Sequence, residues 1–362
     1  MVLELDGETD TLLLGVLDGH GEHGDRCAAW LSREFPMRVF AHPRWGEDPL
    51  EAMEDVGRSC ARTLADPAKA AALFIDTEFS GTTLSCVAVR GGEVFSYHVG
   101  DGAACLLSRR PGDDLPVDFK PPVWPARNKW APRDDGGLVA SRLTPSHRPC
   151  ESRERARLEA AGARVFAIQY NDACVDPERA PERLWLPTLD VPGLALSRSF
   201  GDAIATAFAG LTAHPELRCV RLDTSQPSED PFHGDDAHAA VAQLFDADGN
   251  PVLGLGRGGA KRGDSVLVLA SDGLWATVPP QDAADLCERV LREATARNRG
   301  LHGLLGAGPS GTRGGTGGGG LAHEMCDTLV QEAQRRMLHG PTSDGRSDDT
   351  TAIVALLGSY GR

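Results

Sequence analysis

The chain has 362 residues, of which 41% are hydrophobic and 25% are charged, as in an ordinary soluble globular protein. Its formal net charge of -15 argues against nucleic acid or an anionic membrane surface as the main partner. No apolar run approaches the length of a membrane span, and the acidic N-terminus resembles neither a signal peptide nor a basic transit peptide. If the substrate is anionic, a metal ion would supply the local positive charge.

Seven short apolar runs, bounded by turn residues, predict β-strands. In chain order they are MVLEL (1–5), LLLGVL (12–17), TTLSCVAV (82–89), EVFSYHV (93–99), ARVFAI (163–168), SVLVLA (265–270) and TAIVALL (351–357). Arg90, Gly91 and Gly92 separate the third run from the fourth and are a hairpin signal.

Four segments carry apolar residues at helical spacing, over roughly 24–35, 151–162, 280–298 and 322–340. Pro280 lies near the start of the third segment, and glycine ends the second and the fourth. Because the strands group in hairpins and the helices lie apart from them, we predict an α+β fold.

Two segments are predicted to be insertions. Residues 223–263 are polar and rich in Asp, Pro and Gly, although a small hairpin is predicted around Asp248–Gly249. Residues 300–320 form a glycine-rich loop that we expect to be disordered.

The nine cysteines are scattered singly, and no CxxC pair occurs. An odd number without paired spacing is not typical of a disulfide framework or a zinc knuckle. We therefore expect a reducing compartment, either the cytoplasm or the nucleus.

Acidic residues stand at the ends of predicted strands. Asp18, Asp101 and Asp272 each follow an apolar run, whereas Asp348 and Asp349 precede one. In an antiparallel sheet the end of one strand lies beside the start of its neighbour, so these carboxylates are expected along one sheet edge. Crowded carboxylates repel, and Mg²⁺ or Mn²⁺ relieves the repulsion because hard cations prefer oxygen ligands. Two such ions form a site for phosphoryl chemistry.

A glycine follows three of these acids, at Gly19, Gly102 and Gly273. Glycine permits a sharp turn and lets a backbone carbonyl approach a ligand. Any single Asp-Gly pair is best explained as an ordinary turn after a strand. Only the coincidence of all three pairs with specific flanking residues favours a functional site.

Eight stretches carry those flanking residues: GVLDGHGEHGD, FSGTTLSCVAV, YHVGDGAACLL, LTPSHRP, ESRERARLEAAGARVF, LWLPTLDVPGLALSRSFGD, VLVLASDGLW and SDDTTAIVAL. In this order they resemble the metal-dependent protein serine/threonine phosphatases of the PP2C (PPM) family, and most of all its plant and protist branch. Each motif alone is weak, but the ordered set spans nearly the whole chain.

The resemblance implies a two-metal site. Asp18 would bridge two Mg²⁺ or Mn²⁺ ions and the Gly19 carbonyl would bind one of them, while Asp272 and Asp348 would bind the other. A bridging water would attack phosphorus in line, and His20 would protonate the leaving serine or threonine oxygen. Four further positions are implied to be framework residues with mainly structural roles: Asp101, Ser197, Arg198 and Asp202.

The resemblance also implies the architecture and the partners. We expect a single domain over 1–362, a four-layer α-β-β-α sandwich with two central, mainly antiparallel sheets that lacks the family's usual first strand. Phosphoproteins would be the substrates, and two Mg²⁺ or Mn²⁺ ions, with a weaker third in the family pattern, would be the cofactors. The protein would be a monomer that binds no nucleic acid.

Three departures from the family pattern bear on activity. The chain begins after the motif that supplies a basic phosphate-binding residue and a metal-proximal acid, so we expect an N-terminal truncation. Ser146 stands where the family has an aspartate ligand of the weaker third metal, and a hydroxyl is a poor substitute for a carboxylate. Ala276 replaces an acid and is expected to be a modest structural change.

Simpler explanations apply to the histidines. His20 taken alone could be a turn histidine, and His23 and His147 are better explained as solvated or structural. The HGEHGD stretch does not predict a zinc site, because no helix places both histidines on one face and no cysteine joins them.

Two functions from different classes fit these residues. The first is Mn²⁺- or Mg²⁺-dependent hydrolysis of phosphoserine and phosphothreonine on proteins. The second is a pseudophosphatase that binds a phosphoprotein without turning it over, which Ser146 and the missing motif suggest. A truncated gene model or splice form of an active enzyme is a third explanation.

Overall fold

The computed structural model describes residues 2–7, 9–108, 137–167, 181–221, 241–245, 251–254, 265–304, 318–339 and 349–357. These residues form two compact units. Unit 1 contains the described residues up to 103 and those from 144 to 219. Unit 2 contains the described residues from 104 to 143 and those from 220 onward.

The described strands are β1 Val2–Asp6, β2 Thr11–Val16, β3 Gly19–His20, β4 Gly81–Thr82, β5 Leu84–Arg90, β6 Glu93–Val99, β7 Ala103–Ser108, β8 Val139–Arg142, β9 Arg164–Ala167, β10 Glu182–Trp185, β11 Pro192–Leu194, β12 Phe200–Gly201, β13 Glu216–Arg221, β14 Val241–Phe245, β15 Pro251–Gly254, β16 Ser265–Ala270 and β17 Ala352–Leu357. The described helices are α1 Gly24–Phe40, α2 Pro49–Leu64, α3 Pro67–Ala72, α4 Ser152–Ala160, α5 Ala203–Phe208, α6 Asp272–Trp275, α7 Pro280–Leu304 and α8 Gly318–His339. The mixture confirms the predicted α+β class.

The main sheet of unit 1 has five strands in the order β1-β2-β5-β6-β13. The pairs β1–β2, β2–β5 and β5–β6 are antiparallel, as the hairpin signal at Arg90–Gly92 predicts for the last of them. Two three-stranded sheets, β11-β10-β9 and β12-β4-β3, complete this unit among the described residues. The small β12-β4-β3 sheet is the one that holds the candidate site.

Helices α1 and α2 pack against one face of the five-stranded sheet. On β5 and β6 every second residue faces this core, including Cys86, Ala88, Phe95 and Tyr97, because side chains alternate across a strand. The Tyr97 ring lies 5.1 Å from the ring of Phe35 on α1, centroid to centroid. This packing anchors α1, which begins directly after the turn that carries Asp18, Gly19 and His20.

Helix α2 was not among the predicted helices, although its sequence carries the usual signals. The Asp48 side chain accepts a hydrogen bond from the Glu51 amide, and Pro49 occupies the first helical position. Apolar residues then recur at helical spacing, as at Met53, Val56 and Cys60, and these side chains are buried. Short and charged residues between these positions weaken the apolar pattern.

Unit 2 contains a six-stranded sheet in the order β15-β14-β17-β16-β7-β8. The central strands β16 and β17 pair antiparallel from Ser265 with Leu357 to Ala270 with Ala352. Strand β14 pairs with β17 and with β15, so the segment 223–263 supplies two strands of this sheet. The hairpin predicted around Asp248–Gly249 is therefore present in its two strands, while its turn lies outside the described residues.

One predicted boundary changes. The glycine-rich loop predicted over 300–320 is shorter, since α7 extends to Leu304 and α8 begins at Gly318. Leucines at helical spacing continue past residue 300, which explains the longer α7. The central part of this segment lies outside the described residues.

The single domain expected over 1–362 stays a prediction. None of the described helices has the length and apolar character needed to cross a bilayer.

Candidate active site

The turn after β2 is held in place by a short strand pairing. Strand β3 pairs antiparallel with β4, so that Gly19 lies opposite Thr82 and His20 opposite Gly81. The Asp18 amide donates to the Thr83 hydroxyl at 3.1 Å, and the Asp18 carbonyl accepts from the Thr83 amide at 2.9 Å. These bonds fix the backbone of Asp18 at the sheet end, and with it the direction in which the carboxylate leaves the chain.

The glycines of this turn are required by close backbone contacts. A Cβ atom on Gly19 would lie 2.2 Å from the Gly24 carbonyl oxygen, and Gly21 has a φ of +79°. The first turn of α1 thus packs directly on Gly19. Any side chain at Gly19 would push the helix away and displace the carbonyl that is predicted to bind metal.

His20 is paired with a buried carboxylate. Its Nε2 lies 2.7 Å from Asp202 Oδ2, and the side chains are 23% and 1% exposed respectively. The same Asp202 oxygen accepts a hydrogen bond from the Ser199 hydroxyl, so Asp202 acts as an acceptor and Nε2 of His20 is the donor. Nδ1 is therefore the ring nitrogen that Asp202 does not bind.

The surroundings of His20 favour its charged form. Burial lowers the pKa of His20, but the hydrogen bond and charge of Asp202, followed by the charges of Asp18 and Asp101, raise it by more. The pKa of His20 therefore lies above its ordinary value. A raised pKa favours the imidazolium form, which can donate a proton to a leaving group.

Asp202 is held in a conformation that few residues adopt. Its φ of 47° and ψ of 53° are left-handed, at the position before α5. Its amide donates to the Ser80 carbonyl at 2.9 Å, and its carbonyl accepts from the Thr206 amide at 2.8 Å. Backbone strain of this kind is often stored at functional sites. Asp202 thus contacts His20 directly, whereas the resemblance implied only a framework position for it.

Gly81 was not singled out in the sequence, yet it makes room for this pair. A Cβ atom at Gly81 would lie 2.3 Å from Asp202 Oδ2 and 2.9 Å from His20 Nε2. The signal was present in the stretch FSGTTLSC, where a glycine opens a buried strand. Only the tertiary structure shows which side chains fill the space that it leaves.

The structure gives Ser197 and Arg198 the structural role expected for them. Arg198 Nη2 lies 2.6 Å from Glu154 Oε1, and both side chains are 4% exposed. The Ser197 hydroxyl donates to Glu154 Oε2 at 2.8 Å. Burial raises the pKa of Glu154, but hydrogen bonds from Arg198 and Arg157 lower it by more, to about 2. The loop before β12 is thereby tied to α4.

Asp272 begins α6 directly after β16, in unit 2. A Cβ atom on the following Gly273 would lie 2.3 Å from the Asp349 carbonyl oxygen, and the Ser271 amide donates to the Thr351 carbonyl at 3.0 Å. The residue after Asp272 thus packs against the residue after Asp348. Asp348 itself lies outside the described residues, and so its position stays a prediction.

The oxygen donors at these positions suit a hard divalent cation. Asp18 and Asp272 carry carboxylates beside strand ends, and such oxygens are the ligands that Mg²⁺ and Mn²⁺ prefer. Within the described part of the chain, which leaves out Asp348, no three His, Cys, Asp or Glu side chains form a metal-binding group. Metal binding by Asp18, Gly19, Asp272 and Asp348 together therefore stays a prediction.

The sequence matches the family Protein phosphatase 2C over residues 6–227, a stretch that includes Asp18, His20 and Asp202. The chain belongs to the protein phosphatase 2C family. This confirms the resemblance found in the eight motifs, and with it a plant-like affinity of the sequence.

Two curated relatives illustrate that affinity. The chain is 27% identical over 281 residues to "Probable protein phosphatase 2C 64" of Oryza sativa subsp. japonica, with 77% of this chain and 50% of the relative covered. It is 28% identical over 230 residues to "Probable protein phosphatase 2C 35" of Arabidopsis thaliana, with 60% and 57% covered. The chain thus spans about half the length of these relatives.

A solved structure supports the fold assignment. The serine-threonine phosphatase 2C from Toxoplasma gondii superposes with a TM-score of 0.58 at 17% identity, covering 98% of this chain and 87% of that one. At this identity the likeness concerns the fold alone. The chain therefore has the fold of protein phosphatase 2C, with mixed helices and mainly antiparallel sheets.

Proposed function

We propose that the protein hydrolyses phosphoserine and phosphothreonine on proteins, with two Mg²⁺ or Mn²⁺ ions as cofactors. The observation that carries the proposal is the His20–Asp202 pair, 2.7 Å between Nε2 and Oδ2, on the turn that begins with Asp18. A histidine of raised pKa beside a carboxylate in a metal-dependent phosphatase family fits general acid chemistry.

The metal ligands would be Asp18 with the Gly19 carbonyl, and Asp272 with Asp348. When bound, the two ions supply an activated water and neutralise charge on the phosphoryl group. Oxygen ligands of this kind suit Mg²⁺ and Mn²⁺. The weaker third ion of the family pattern is not proposed here, because Ser146 offers no carboxylate.

The transfer of a proton to the leaving oxygen would then depend on His20 and Asp202. Asp202 holds Nε2 of His20 and orients the ring. Nδ1 donates its proton to the serine or threonine oxygen as the bond to phosphorus breaks, and Asp202 stabilises the imidazolium before the transfer. Ser199 and the Asp202 backbone bonds keep that carboxylate in position.

The test is hydrolysis of p-nitrophenyl phosphate and of a phosphothreonine peptide by the full chain, with and without Mn²⁺. We expect turnover that requires Mn²⁺ and that is lost in Asp272→Asn. The matched control is Asp327→Asn, an aspartate of the same unit that is half exposed on α8 and pairs with His323. Absence of metal-dependent turnover in a folded sample would refute the proposal.

A pseudophosphatase is the second candidate, and Ser146 favours it. This hydroxyl stands on a buried position where the family pattern has a carboxylate. Tight binding of a phosphothreonine peptide without turnover would support this alternative. Turnover at an ordinary rate for a phosphatase would exclude it.

We also propose a reducing compartment, the cytoplasm or the nucleus, with phosphoproteins as substrates and a monomeric chain. The eight cysteines among the described residues are all free thiols, which supports the compartment. Imaging of the tagged full-length protein would test the location, and light scattering would test the oligomeric state.

A further inference from the structure

A surface groove of about 480 Å³ lies between the first half of α1 and the turn that follows α3, within unit 1. Trp30 and Ile75 are buried at its base, whereas Leu73 and Phe74 stand exposed at its side. The groove lies outside the candidate active site, and neither the proposed catalysis nor the proposed metal binding uses it.

Phe74 is presented to water by a specific turn. Its side chain is 82% exposed, and its φ of +61° is left-handed, which is rare for an aromatic residue. The Phe74 amide donates to the Ala71 carbonyl at 2.9 Å, and the Phe74 carbonyl accepts from Arg26 Nη1 at 2.9 Å. The protein thus holds an aromatic ring outside its core in an unfavourable conformation, as binding surfaces often do.

Two arginines give the groove a positive charge. Arg26 and Arg33 lie two helical turns apart on one face of α1, roughly 10 Å along the axis. Arg33 is 72% exposed and its contact with Glu34 is loose, at 3.8 Å, while Glu34 is held by Arg38 at 2.7 Å. Arg26 spends one of its guanidinium donors on the Phe74 carbonyl. Both arginines therefore retain donors for an anionic partner.

We propose that this groove docks an acidic segment of a protein partner, with one apolar side chain of that segment seated between Trp30 and Phe74. Carboxylates on either side of the apolar anchor would pair with Arg26 and Arg33. Local charge complementarity selects this occupant, because Arg26 and Arg33 flank an apolar groove that no acidic side chain lines among the described residues. A second copy docked groove to groove is disfavoured, because Arg26 and Arg33 would then face the same arginines of the other copy.

The groove is tied to the turn that carries His20. The His23 amide donates to the Ser80 hydroxyl at 3.0 Å, and His23 Nδ1 accepts from the Asp76 amide at 2.8 Å. The segment from Phe74 to Ser80 therefore runs from the groove directly to the catalytic turn. A partner docked in the groove would bring its neighbouring residues beside His20. Docking goes beyond the proposed function because it does not require hydrolysis.

The experiment measures fluorescence anisotropy of labelled peptides with the full chain. The probe is a peptide of Glu and Ser with one central Leu or Phe. One comparison peptide has Ser at the centre, and another has Gln in place of Glu. We expect saturable binding of the first peptide only, weakened by added salt because exposed charges are screened.

Variants on the protein locate the binding. We expect Arg33→Glu and Phe74→Ser each to weaken binding by at least about fivefold, as for anchor residues of an interface. The matched controls are Arg62→Glu, an exposed arginine on α2, and Phe208→Ser, a ring that is 61% exposed on α5. Both controls should bind as the unaltered chain does, and circular dichroism should show all four variants folded.

Several outcomes would overturn the proposal. Absence of binding to the unaltered chain would do so, as would equal losses in the groove variants and in their controls. A dimer that forms with rising concentration and is lost in Phe74→Ser would instead make the groove an interface between copies. Phe74→Gly, which removes the ring and relieves the left-handed backbone, gives a second variant if Phe74→Ser does not fold. Because anisotropy needs no turnover, failure of docking is distinguishable from failure of the phosphatase proposal.

Discussion

At His20 a single hydrogen bond distinguishes the two ring nitrogens of the proposed acid. Asp202 binds Nε2, and Nδ1 is therefore the nitrogen that we propose meets the substrate oxygen. The same carboxylate raises the pKa of His20 and keeps the imidazolium populated at higher pH. We therefore expect Asp202 to act as a positioning residue through His20, and its removal should alter the pH profile as well as the rate.

We predict that Asp202→Asn lowers the pKa of His20, because the amide removes the negative charge that favours imidazolium. The basic limb of the kcat profile, where protonated His20 is lost, should move to lower pH, and kcat should fall by about tenfold to a hundredfold. Steady-state kinetics across the pH range would show this. Asp190→Asn, at an exposed aspartate, is the control. An unchanged profile would contradict the positioning role.

The raised pKa of His20 also carries a stability consequence for the metal-free protein. A group whose folded pKa exceeds its unfolded value stabilises the fold below the unfolded pKa, and this contribution disappears as pH rises through the folded pKa. The stabilisation from the His20–Asp202 pair should therefore be fully present below the ordinary histidine pKa of 6.5 and lost as pH rises through the raised pKa of His20. Asp202→Asn should flatten this dependence.

Gly81 offers a second test at the residue scale. A Cβ atom there would collide with Asp202 Oδ2 at 2.3 Å, so Gly81→Ala should separate Asp202 from His20. We expect a loss of about 1–3 kcal/mol in the free energy of unfolding from overpacking, together with a lower kcat. Gly46→Ala is the matched control, because a Cβ atom at Gly46 meets nothing within 4 Å. Urea denaturation and kinetics would measure both effects.

At the scale of elements, the loop before β12 depends on a buried ion pair. Arg198 and Glu154 are each 4% exposed, and Ser197 and Arg157 complete the hydrogen bonds of the carboxylate. This cluster connects α4 to the loop that leads to Asp202. A buried charge that loses its partner is costly, so the cluster should behave as one unit.

We predict that Arg198→Ala lowers the free energy of unfolding by about 3–5 kcal/mol, because Glu154 would be left buried without its main partner. Arg58→Ala, which removes an exposed pair with Glu54 on α2, should cost less than about 1 kcal/mol. Chemical denaturation of both variants would compare them. Similar losses in the two variants would show that the buried Arg198–Glu154 pair stabilises the fold no more than an exposed pair does.

The same cluster should make the stability of the fold depend on pH in acid. The pKa of Glu154 lies at about 2, below its ordinary value of 4.5. A depressed folded pKa means that the stabilisation is present above the unfolded pKa and is lost as pH falls through the folded value. Stability from this pair should therefore decline between about pH 4.5 and pH 2, and Arg198→Ala should remove most of that decline.

At the scale of the whole molecule, metal binding should increase the stability of the folded chain. A ligand that binds only the folded chain stabilises it by about 2.7 kcal/mol at a hundredfold excess over its Kd. We predict that Mn²⁺ raises the Tm, that a chelator reverses the rise, and that Asp18→Asn and Asp272→Asn each reduce it. Asp327→Asn should keep the full rise. Thermal scans that show the same rise in every variant would exclude these two carboxylates as ligands.

Much of this protein could be predicted from the sequence, because local patterns depend on neighbouring residues alone. The seven apolar runs are strands and the four periodic segments are helices, since burial on one face imposes a period that the chain must follow. The order of the motifs likewise indicated the protein phosphatase 2C family and drew attention to Asp18 and His20. Helix α2 was not predicted, and β14 and β15 were predicted only as a small hairpin, because short or polar residues weaken the period.

Tertiary structure alone decided which distant residues meet. Asp202 is far from His20 in sequence, and their contact depends on the pairing of β12 with β4 and of β4 with β3. The space at Gly81 and the exposed ring of Phe74 likewise follow from backbone placement, which no local pattern records. Sequence periodicity reports burial within one element, whereas a site is made where several elements converge. For this reason His20 could be singled out as a candidate acid from the sequence, but the groups that contact it could not.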